Sequence, residues 1–130
     1  VYKRQGYMLS TFIDKARNKE CLEIWGRGEG ARDYIYVRDV VRAIDLALQQ
    51  SDVRGVFNIG SNRSTTHFEL AEIVNRAFDN AGNLKRLEEK KEDQSVYQMN
   101  SEKAMSELRW EPEWPLFEAM LDIKRIQSQI

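Results

Sequence analysis

Short apolar runs alternate with amphipathic segments along the whole chain, and this alternation constrains the fold more than any other feature of the sequence. In one kind of segment, apolar residues recur three and four positions apart, as on one face of an α-helix. The other kind is a short run rich in β-branched and aromatic residues, as in a buried strand. The two kinds interleave without an internal repeat or linker, so the sequence predicts one α/β or α+β unit. We favour the α/β class.

The spacing of apolar residues predicts five helices, over about residues 7–18, 40–50, 67–80, 101–108 and 116–127. Asp39 is suited to cap the second helix, and Thr66 with Glu69 forms a capping-box pattern before the third. Gly82 stands where a glycine would end that third helix. These start and stop signals place the boundaries of the predicted helices.

Strands are predicted at Cys21 to Trp25, Tyr34 to Val37 and Val56 to Ile59. Residues 85–93 carry four positive and four negative charges, which is typical of a solvated strand and loop. Glycines at alternate positions, Gly26-Arg-Gly-Glu-Gly30, separate the first two strands and indicate a turn that other residues resist.

Composition excludes several classes of function. Twenty Lys and Arg residues against 21 Asp and Glu residues give a net charge of −1 without a basic block, which argues against a nucleic-acid partner. No apolar run approaches the ~18 residues of a membrane helix, and no terminal segment reads as a secretory signal, so we expect no membrane partner and a cytoplasmic setting. Cys21 is the only cysteine and His67 the only histidine, which excludes a disulfide framework, a zinc cluster and a His-based triad within this sequence. We expect His67 to be an exposed first-turn residue and Cys21 a small buried one.

The first five residues, Val1 to Gln5, are what the bases GTG TAT AAG AGA CAG encode. These bases end a transposon adapter used to prepare sequencing libraries. We therefore interpret residues 1–5 as an adapter-derived scar and residues 6–130 as the protein proper. The alternative is a genuine basic N-terminus.

The glycine run alone does not establish a phosphate loop. A dinucleotide fingerprint opens a helix whose N-terminus faces the pyrophosphate, whereas here a strand is predicted to follow. Arg32, just after the run, could present its planar charged group to a phosphate or carboxylate. The alternative is a surface ion pair with Asp33 or Glu29, worth under about 1 kcal/mol.

Four motifs together resemble the C-terminal part of extended short-chain dehydrogenase/reductases, in the NAD-dependent nucleotide-sugar epimerase/dehydratase family. They occur in the order and at the spacing found in that family, which includes UDP-glucose 4-epimerases. In this sequence they are Ile24-Trp-Gly-Arg-Gly-Glu-Gly-Ala-Arg-Asp-Tyr-Ile-Tyr-Val37, Asp39-Val-Val-Arg-Ala-Ile44, Gly55-Val-Phe-Asn-Ile-Gly-Ser61 and Leu108-Arg-Trp-Glu-Pro112. In the last motif Arg109 stands where glycine is usual.

The resemblance implies an α/β fold in which this chain forms the C-terminal substrate-binding portion and the sheet-edge elements of a Rossmann-type protein. The N-terminal dinucleotide-binding part, which would bind NAD or NADP, is then missing, and residues 39–60 would pack on its sheet. The resemblance also implies a nucleotide-sugar substrate that is transiently oxidised at the sugar C4, with UDP-hexose 4-epimerase the favoured subclass. A homodimer of the full-length protein stays open.

Three site residues follow from the resemblance at the glycine run. Arg32 matches the arginine that contacts the pyrophosphate of the sugar nucleotide in this family. The strand before the glycines lines the base pocket, which places Trp25 and Glu23 there. The alternative for Trp25 is core packing.

Two more site residues follow from the later motif Asn100-Ser-Glu-Lys-Ala104. Asp93 precedes Lys103 by ten residues, as the family's Arg-x-x-Asp aspartate precedes its motif lysine. The family's second phosphate arginine then falls on Lys90. A lysine keeps the charge but loses the paired hydrogen bonds, and the alternative for Lys90 is a solvated surface charge.

The family's catalytic Tyr-x-x-x-Lys pair is absent from this sequence, so no catalytic residue is assigned, and the isolated chain is expected to be inactive. Two other interpretations stay open. One is a relative that keeps the dinucleotide domain for sensing and has lost turnover. The other is a free-standing α/β interaction module, which would fold cooperatively alone.

Overall fold

The computed structural model describes residues 7–130, so the interpretation of residues 1–5 lies outside the described residues. In chain order the elements are α1 Met8–Arg17, β1 Leu22–Trp25, β2 Ala31–Asp33, α2 Val37–Gln49, β3 Ser64–Thr66, α3 His67–Ala77, β4 Leu84–Leu87, α4 Glu102–Glu107 and α5 Leu116–Gln127. Helices and strands interleave from end to end, as the pattern of apolar residues predicted.

The strands form two small sheets. β1 pairs with β4 in parallel, with Leu22 opposite Leu84 and Trp25 opposite Leu87. β2 pairs with β3 antiparallel, with Arg32 opposite Thr65. A parallel bridge from Ala31 to Val96 extends the second sheet by a third segment. The parallel pair joined by helical connections confirms the α/β class.

The larger hydrophobic core lies between β1 and helices α1, α3 and α5. Leu22 and Ile24 of β1 are buried in it, whereas Glu23 and Trp25 are not. Side chains alternate between the two faces of a strand, so packing Leu22 and Ile24 inward turns Glu23 and Trp25 the other way. Packing of the core thereby determines on which side of β1 Glu23 and Trp25 lie, the two residues that the resemblance assigned to a base pocket.

A second core surrounds Trp110, where Ala43 of α2 meets Ala104 of α4 and Leu108. Asp39 of α2 connects this core to the segment that follows Trp110. It accepts hydrogen bonds from the backbone N–H groups of Glu113 (2.9 Å) and Trp114 (3.1 Å). The prediction that Asp39 caps α2 is therefore wrong, because α2 begins two residues earlier and the buried carboxylate serves a tertiary contact instead.

Two predicted strands are also wrong. Tyr34 to Val37 was predicted as a strand, but β2 ends at Asp33 and Val37 already begins α2. The segment Val56 to Ile59 forms no strand and has no neighbouring strand in the described part of the molecule. The periodicity of apolar residues does not show whether a segment has a neighbouring strand. A strand forms only where its backbone N–H and C=O groups can bond to such a neighbour.

Three of the predicted helices fit the structure closely at their starts. α1 lies within one residue of the predicted span at each end, and α5 matches it. The capping box of Thr66 and Glu69 is present, although α3 ends at Ala77 rather than near Asn80. Asp79, rather than Gly82, takes the first left-handed conformation after it (φ 55°). Within residues 7–130, no helix has the length and hydropathy that would suit it to cross a bilayer.

Arg109, where the related motif has glycine, adopts a left-handed backbone conformation with φ 55°. A residue with a Cβ pays about 1 kcal/mol for this conformation, whereas glycine adopts it freely. The turn before Trp110 therefore has a geometry that explains why glycine suits this position.

Replacing Thr66 by alanine is expected to lower the free energy of unfolding by about 1 kcal/mol, because it removes the capping box. The Thr66 hydroxyl accepts from the N–H of Glu69 (3.1 Å), and the Glu69 carboxylate accepts from the N–H of Thr66 (2.9 Å). Urea unfolding of the two variants Thr66→Ala and Thr66→Ser checks this. Serine keeps the hydroxyl, so equal losses in both variants would contradict the capping role.

Candidate nucleotide-binding cleft

The glycine loop after β1 turns back over the start of α3. Gly26 (φ 62°) and Gly28 (φ 74°) are left-handed, and a Cβ on Gly28 would lie 2.7 Å from Ile24 Cγ2 and 3.0 Å from the Phe68 nitrogen. The loop carbonyls of Gly30 and Gly28 accept from the N–H groups of His67 (2.8 Å) and Phe68 (3.1 Å). Glycine is needed here because the loop backbone touches both β1 and the first turn of α3.

The other side of the loop binds Glu92. The Glu92 carboxylate accepts from the backbone N–H groups of Arg27 (3.0 Å), Gly28 (2.9 Å) and Glu29 (3.0 Å). Burial opposes ionisation of this carboxyl, but the backbone donors outweigh burial, so the pKa of Glu92 is lowered. The glycine loop thus holds an anion that the chain itself supplies.

Arg32 lies in β2, and its guanidinium is half-buried. It donates to the carbonyl oxygens of Ala31 (2.9 Å) and Ser95 (2.6 Å) and to the Asp93 carboxylate (2.7 Å). The Tyr97 ring lies 4.7 Å from the guanidinium carbon, in cation–π contact. The alternative of an ion pair with Asp33 or Glu29 does not describe this contact set, because the partner of Arg32 is Asp93.

The residues around the loop enclose a cleft of about 530 Å³ between β1, α1, the start of α3 and residues 91–93. Its lining comprises Met8, Thr11, Phe12, Glu23, Ile24, Trp25, His67, Lys91, Glu92 and Asp93. The volume lies within the range of small-molecule sites, about 300–1,000 Å³. Apolar side chains form its floor and charged side chains its rim.

Trp25 is not a core residue, because 56% of its surface is exposed. Lys90 places its ammonium nitrogen 5.5 Å from the centre of the Trp25 ring. Glu23, two residues before Trp25, pairs with Lys85 (3.0 Å) and Lys15 (3.8 Å). The hydrogen bond and charge of Lys85 lower the pKa of Glu23, which therefore contributes a fixed negative charge near neutral pH.

Three of the five predicted site residues line the cleft, and the other two contact residues that line it. Glu23, Trp25 and Asp93 line the cleft, Lys90 lies against Trp25, and Arg32 is bonded to Asp93. The arrangement combines the exposed ring of Trp25 with an arginine that is bonded to the cleft residue Asp93. It suits a ligand that carries both a planar ring and an anion.

Sequence reasoning missed two further residues of the cleft. His67 was predicted to be exposed, but it is half-buried because the glycine loop folds over it. Burial, followed by the nearby Arg32, lowers the pKa of His67, so its imidazole is uncharged near neutral pH. Glu92 lies in a charged run that resembles solvated surface. The capping box correctly placed His67 in the first turn of α3, but it did not reveal the burial of the ring, and no local signal pointed to Glu92. Cys21, predicted to be buried, is half-buried outside the cleft.

The described residues do not fit a dinucleotide cofactor. The amides of the glycine loop face Glu92, and strand β2 rather than a helix follows the loop. Residues 7–130 also contain no group of three His, Cys, Asp or Glu side chains placed to hold a metal ion.

Comparison with known proteins places this chain in a family. Residues 2–60 match the model of the NAD dependent epimerase/dehydratase family. The low-salt glycan biosynthesis protein of Haloferax volcanii is 32% identical over 108 residues, which cover 82% of this chain and 34% of that protein. UDP-glucuronic acid decarboxylase 1 of Arabidopsis thaliana is 30% identical over 115 residues, covering 88% of this chain and 26% of that protein.

Solved structures show the same likeness in three dimensions. A UDP-N-acetylglucosamine 4-epimerase from Bacillus cereus superposes with a TM-score of 0.85 at 27% identity, over 99% of this chain and 42% of that one. A UDP-glucose 4-epimerase from Thermotoga maritima, solved with UDP-glucose, gives 0.80 at 30% identity, over 98% and 41%. The chain therefore spans less than half the length of these proteins and belongs to the NAD-dependent epimerase/dehydratase family of nucleotide-sugar enzymes.

Proposed function

We propose that this chain is the substrate-binding portion of a nucleotide-sugar epimerase or dehydratase, and that its cleft holds the nucleoside diphosphate of the sugar nucleotide. One arrangement carries the proposal: Trp25 and Asp93 line a cleft of about 530 Å³, Lys90 lies against Trp25, and Arg32 is bonded to Asp93. Arg32 and Lys90 supply positive charge for the diphosphate, and Trp25 supplies a face for the base.

The guanidinium of Arg32 is held in a fixed position and is already bonded to an anionic group. Its guanidinium is held by the carbonyls of Ala31 and Ser95 and already bonds one carboxylate, Asp93. A phosphate that approaches would either share the guanidinium with the Asp93 carboxylate or displace that carboxylate. Because the backbone bonds hold the group in place, little side-chain freedom is lost on binding.

UDP-hexose 4-epimerase is the favoured subclass. Two structural relatives at 27% and 30% identity bear 4-epimerase names, and both act on UDP sugars by those names. A second candidate is a UDP-glucuronic acid decarboxylase, because curated relatives with that name reach 30% identity. Incubating the complete protein with UDP-glucose and UDP-glucuronate separately, and identifying the product sugar, distinguishes the two.

The remainder of the fold is proposed to cover residues 39–60. Val41, Ile44 and Leu48 of α2 share one exposed face of the helix, and Val56 beyond it is exposed too. Val37, at the start of the same face, also borders an apolar cavity of about 420 Å³ beside α5. An apolar surface of this extent is typical of an interface. We assign it to a dinucleotide-binding sheet that holds NAD or NADP outside this chain.

Arg32→Ala is expected to raise the dissociation constant for UDP by about ten- to a hundredfold, because charge-assisted bonds to the diphosphate are worth about 1.5–3 kcal/mol. Arg32→Lys should recover only part of the loss, since lysine lacks the planar pair of donors. Isothermal titration of the complete protein with UDP measures both variants.

The matched control is Arg27→Ala in the glycine loop. Arg27 is an exposed arginine that takes part through its backbone N–H, which the substitution leaves in place. If UDP binds Arg32→Ala as tightly as the parent, Arg32 is not a diphosphate ligand. If the parent protein does not bind UDP at all, the proposed function is wrong.

A further inference from the structure

Glu92 joins two loops that are far apart in the sequence. Its carboxylate receives three consecutive backbone N–H groups of the glycine loop, those of Arg27, Gly28 and Glu29, which lie 63 to 65 residues earlier in the chain. The left-handed glycines at positions 26 and 28 turn these donors to one side. Three converging N–H groups form a concave site for an anion.

The bonds favour the charged form of Glu92. Burial alone would raise its pKa, yet the pKa is lowered, because the hydrogen bonds from Arg27, Glu29, Gln94 and Gly28 together outweigh burial. Hydrogen bonds to an ionised acceptor are stronger than those to a neutral one. Glu92 therefore acts as a charged clasp between the loops.

The residue after Glu92, and the residue two positions before it, belong to the proposed diphosphate site. Asp93 bonds Arg32 at 2.7 Å, and Lys90 lies against Trp25 at 5.5 Å. The backbone of Asp93 also packs on Gly30 so closely that a side chain at position 30 would overlap the Asp93 carbonyl oxygen. Holding Glu92 in the glycine loop thus sets the positions of Lys90 and Asp93 relative to Arg32.

We propose that Glu92 is a positioning residue that docks residues 90–93 on the glycine loop and so sets the cation pair, Arg32 and Lys90, for the diphosphate. The inference rests on the proposed function, because it concerns the same cleft. It adds a residue whose side chain acts through its neighbours and has no bond to either cation among the described residues.

Charge and position predict opposite results when Glu92 is neutralised. Removing a negative charge beside a site for an anion should by itself strengthen UDP binding. Removing the clasp should weaken it, because a glutamine amide offers one acceptor oxygen and turns an NH₂ group toward N–H donors. The sign of the change in affinity separates the two.

The test compares Glu92→Gln with Glu88→Gln in the complete protein. Glu88 is an exposed residue of the same charged run, without a hydrogen bond or ion pair in the described part of the chain, so its substitution changes the charge alone. Isothermal titration with UDP gives the dissociation constant and the fraction of competent sites. Hydrogen exchange gives the protection of the amides of residues 27–29.

We expect Glu92→Gln to weaken UDP binding about tenfold with an unchanged fraction of competent sites, and to reduce protection of the three amides about tenfold. Glu88→Gln should leave both within about twofold. A partly unfolded variant would instead lower the competent fraction and leave the dissociation constant of the remaining sites unchanged.

Equal or tighter UDP binding by Glu92→Gln overturns the positioning role, whether or not amide protection is lost. Unchanged protection overturns the clasp itself. If the parent protein fails to bind UDP, both the proposed function and the positioning role are wrong. If the parent binds UDP and Glu92→Gln binds it equally well, only the positioning role is wrong.

Discussion

Replacing Trp110 by alanine is expected to lower the free energy of unfolding by about 3 to 5 kcal/mol. The side chain is fully buried among Ala43, Ala104 and Leu108. Its ring nitrogen donates to the Asp39 carbonyl oxygen at 2.9 Å. Truncation removes both the ring and this bond, and it leaves a cavity that rigid helices α2 and α4 cannot fill.

Urea unfolding monitored by far-ultraviolet circular dichroism measures the loss. Trp110→Phe is the control, because it keeps most of the ring and gives up only the hydrogen bond and some volume. We expect it to lose about 1 to 2 kcal/mol. Similar losses in the two variants would mean that the bond to Asp39, rather than the volume of the ring, stabilises the second core.

Local signals in the sequence predicted the helices well because each helix carries its own evidence. α1 and α5 bury one stripe of residues three and four positions apart, and this spacing is visible without knowing what the stripe touches. The start of α3 was predicted for the same reason, since Thr66 and Glu69 bond each other across one turn.

The strands were predicted less well, because a strand needs a partner that its own residues do not name. Leu22 to Trp25 has β4 beside it and forms a strand, whereas Val56 to Ile59 has no neighbour in the described residues and does not. Asp39 was misread in a similar way. Its residue type suits a cap, but two N–H groups more than 70 residues later in the chain bind its carboxylate instead.

The candidate site shows the same division. The resemblance of motifs predicted Arg32, Asp93 and Trp25 as site residues; in the structure Trp25 and Asp93 line one cleft, and Arg32 is bonded to Asp93. No pattern of spacing relates Arg32 to Asp93, which lie 61 residues apart. Glu92 was missed because its partners are backbone N–H groups, and these have no signature in the sequence beyond the glycines that orient them.

The exposed face of α2 determines the expected effect of a substitution at Leu48 on stability. Leu48 is 81% exposed, and it continues the apolar face of Val41 and Ile44. The opposite side of the helix is already packed, with Ala43 in the second core. An amphipathic helix needs only one apolar face, so a second one supports the proposal that another part of the complete protein covers this surface.

Leu48→Glu is therefore expected to have opposite consequences in two settings. In the complete protein it should lower the free energy of unfolding by about 3 to 5 kcal/mol, because the substitution buries an unpaired carboxylate where leucine packed. In the isolated chain the same change should stay within about 0.5 kcal/mol and reduce self-association, because the side chain meets water. Urea unfolding and sedimentation of both proteins measure the pair of effects.

Gln49→Glu adds the same charge at the next position, which is also exposed, and should cost only about 0.2 to 0.5 kcal/mol in either setting because it approaches Asp45. Equal tolerance of Leu48→Glu in both proteins would show that nothing covers α2 and that residues 39–60 do not pack on a further sheet.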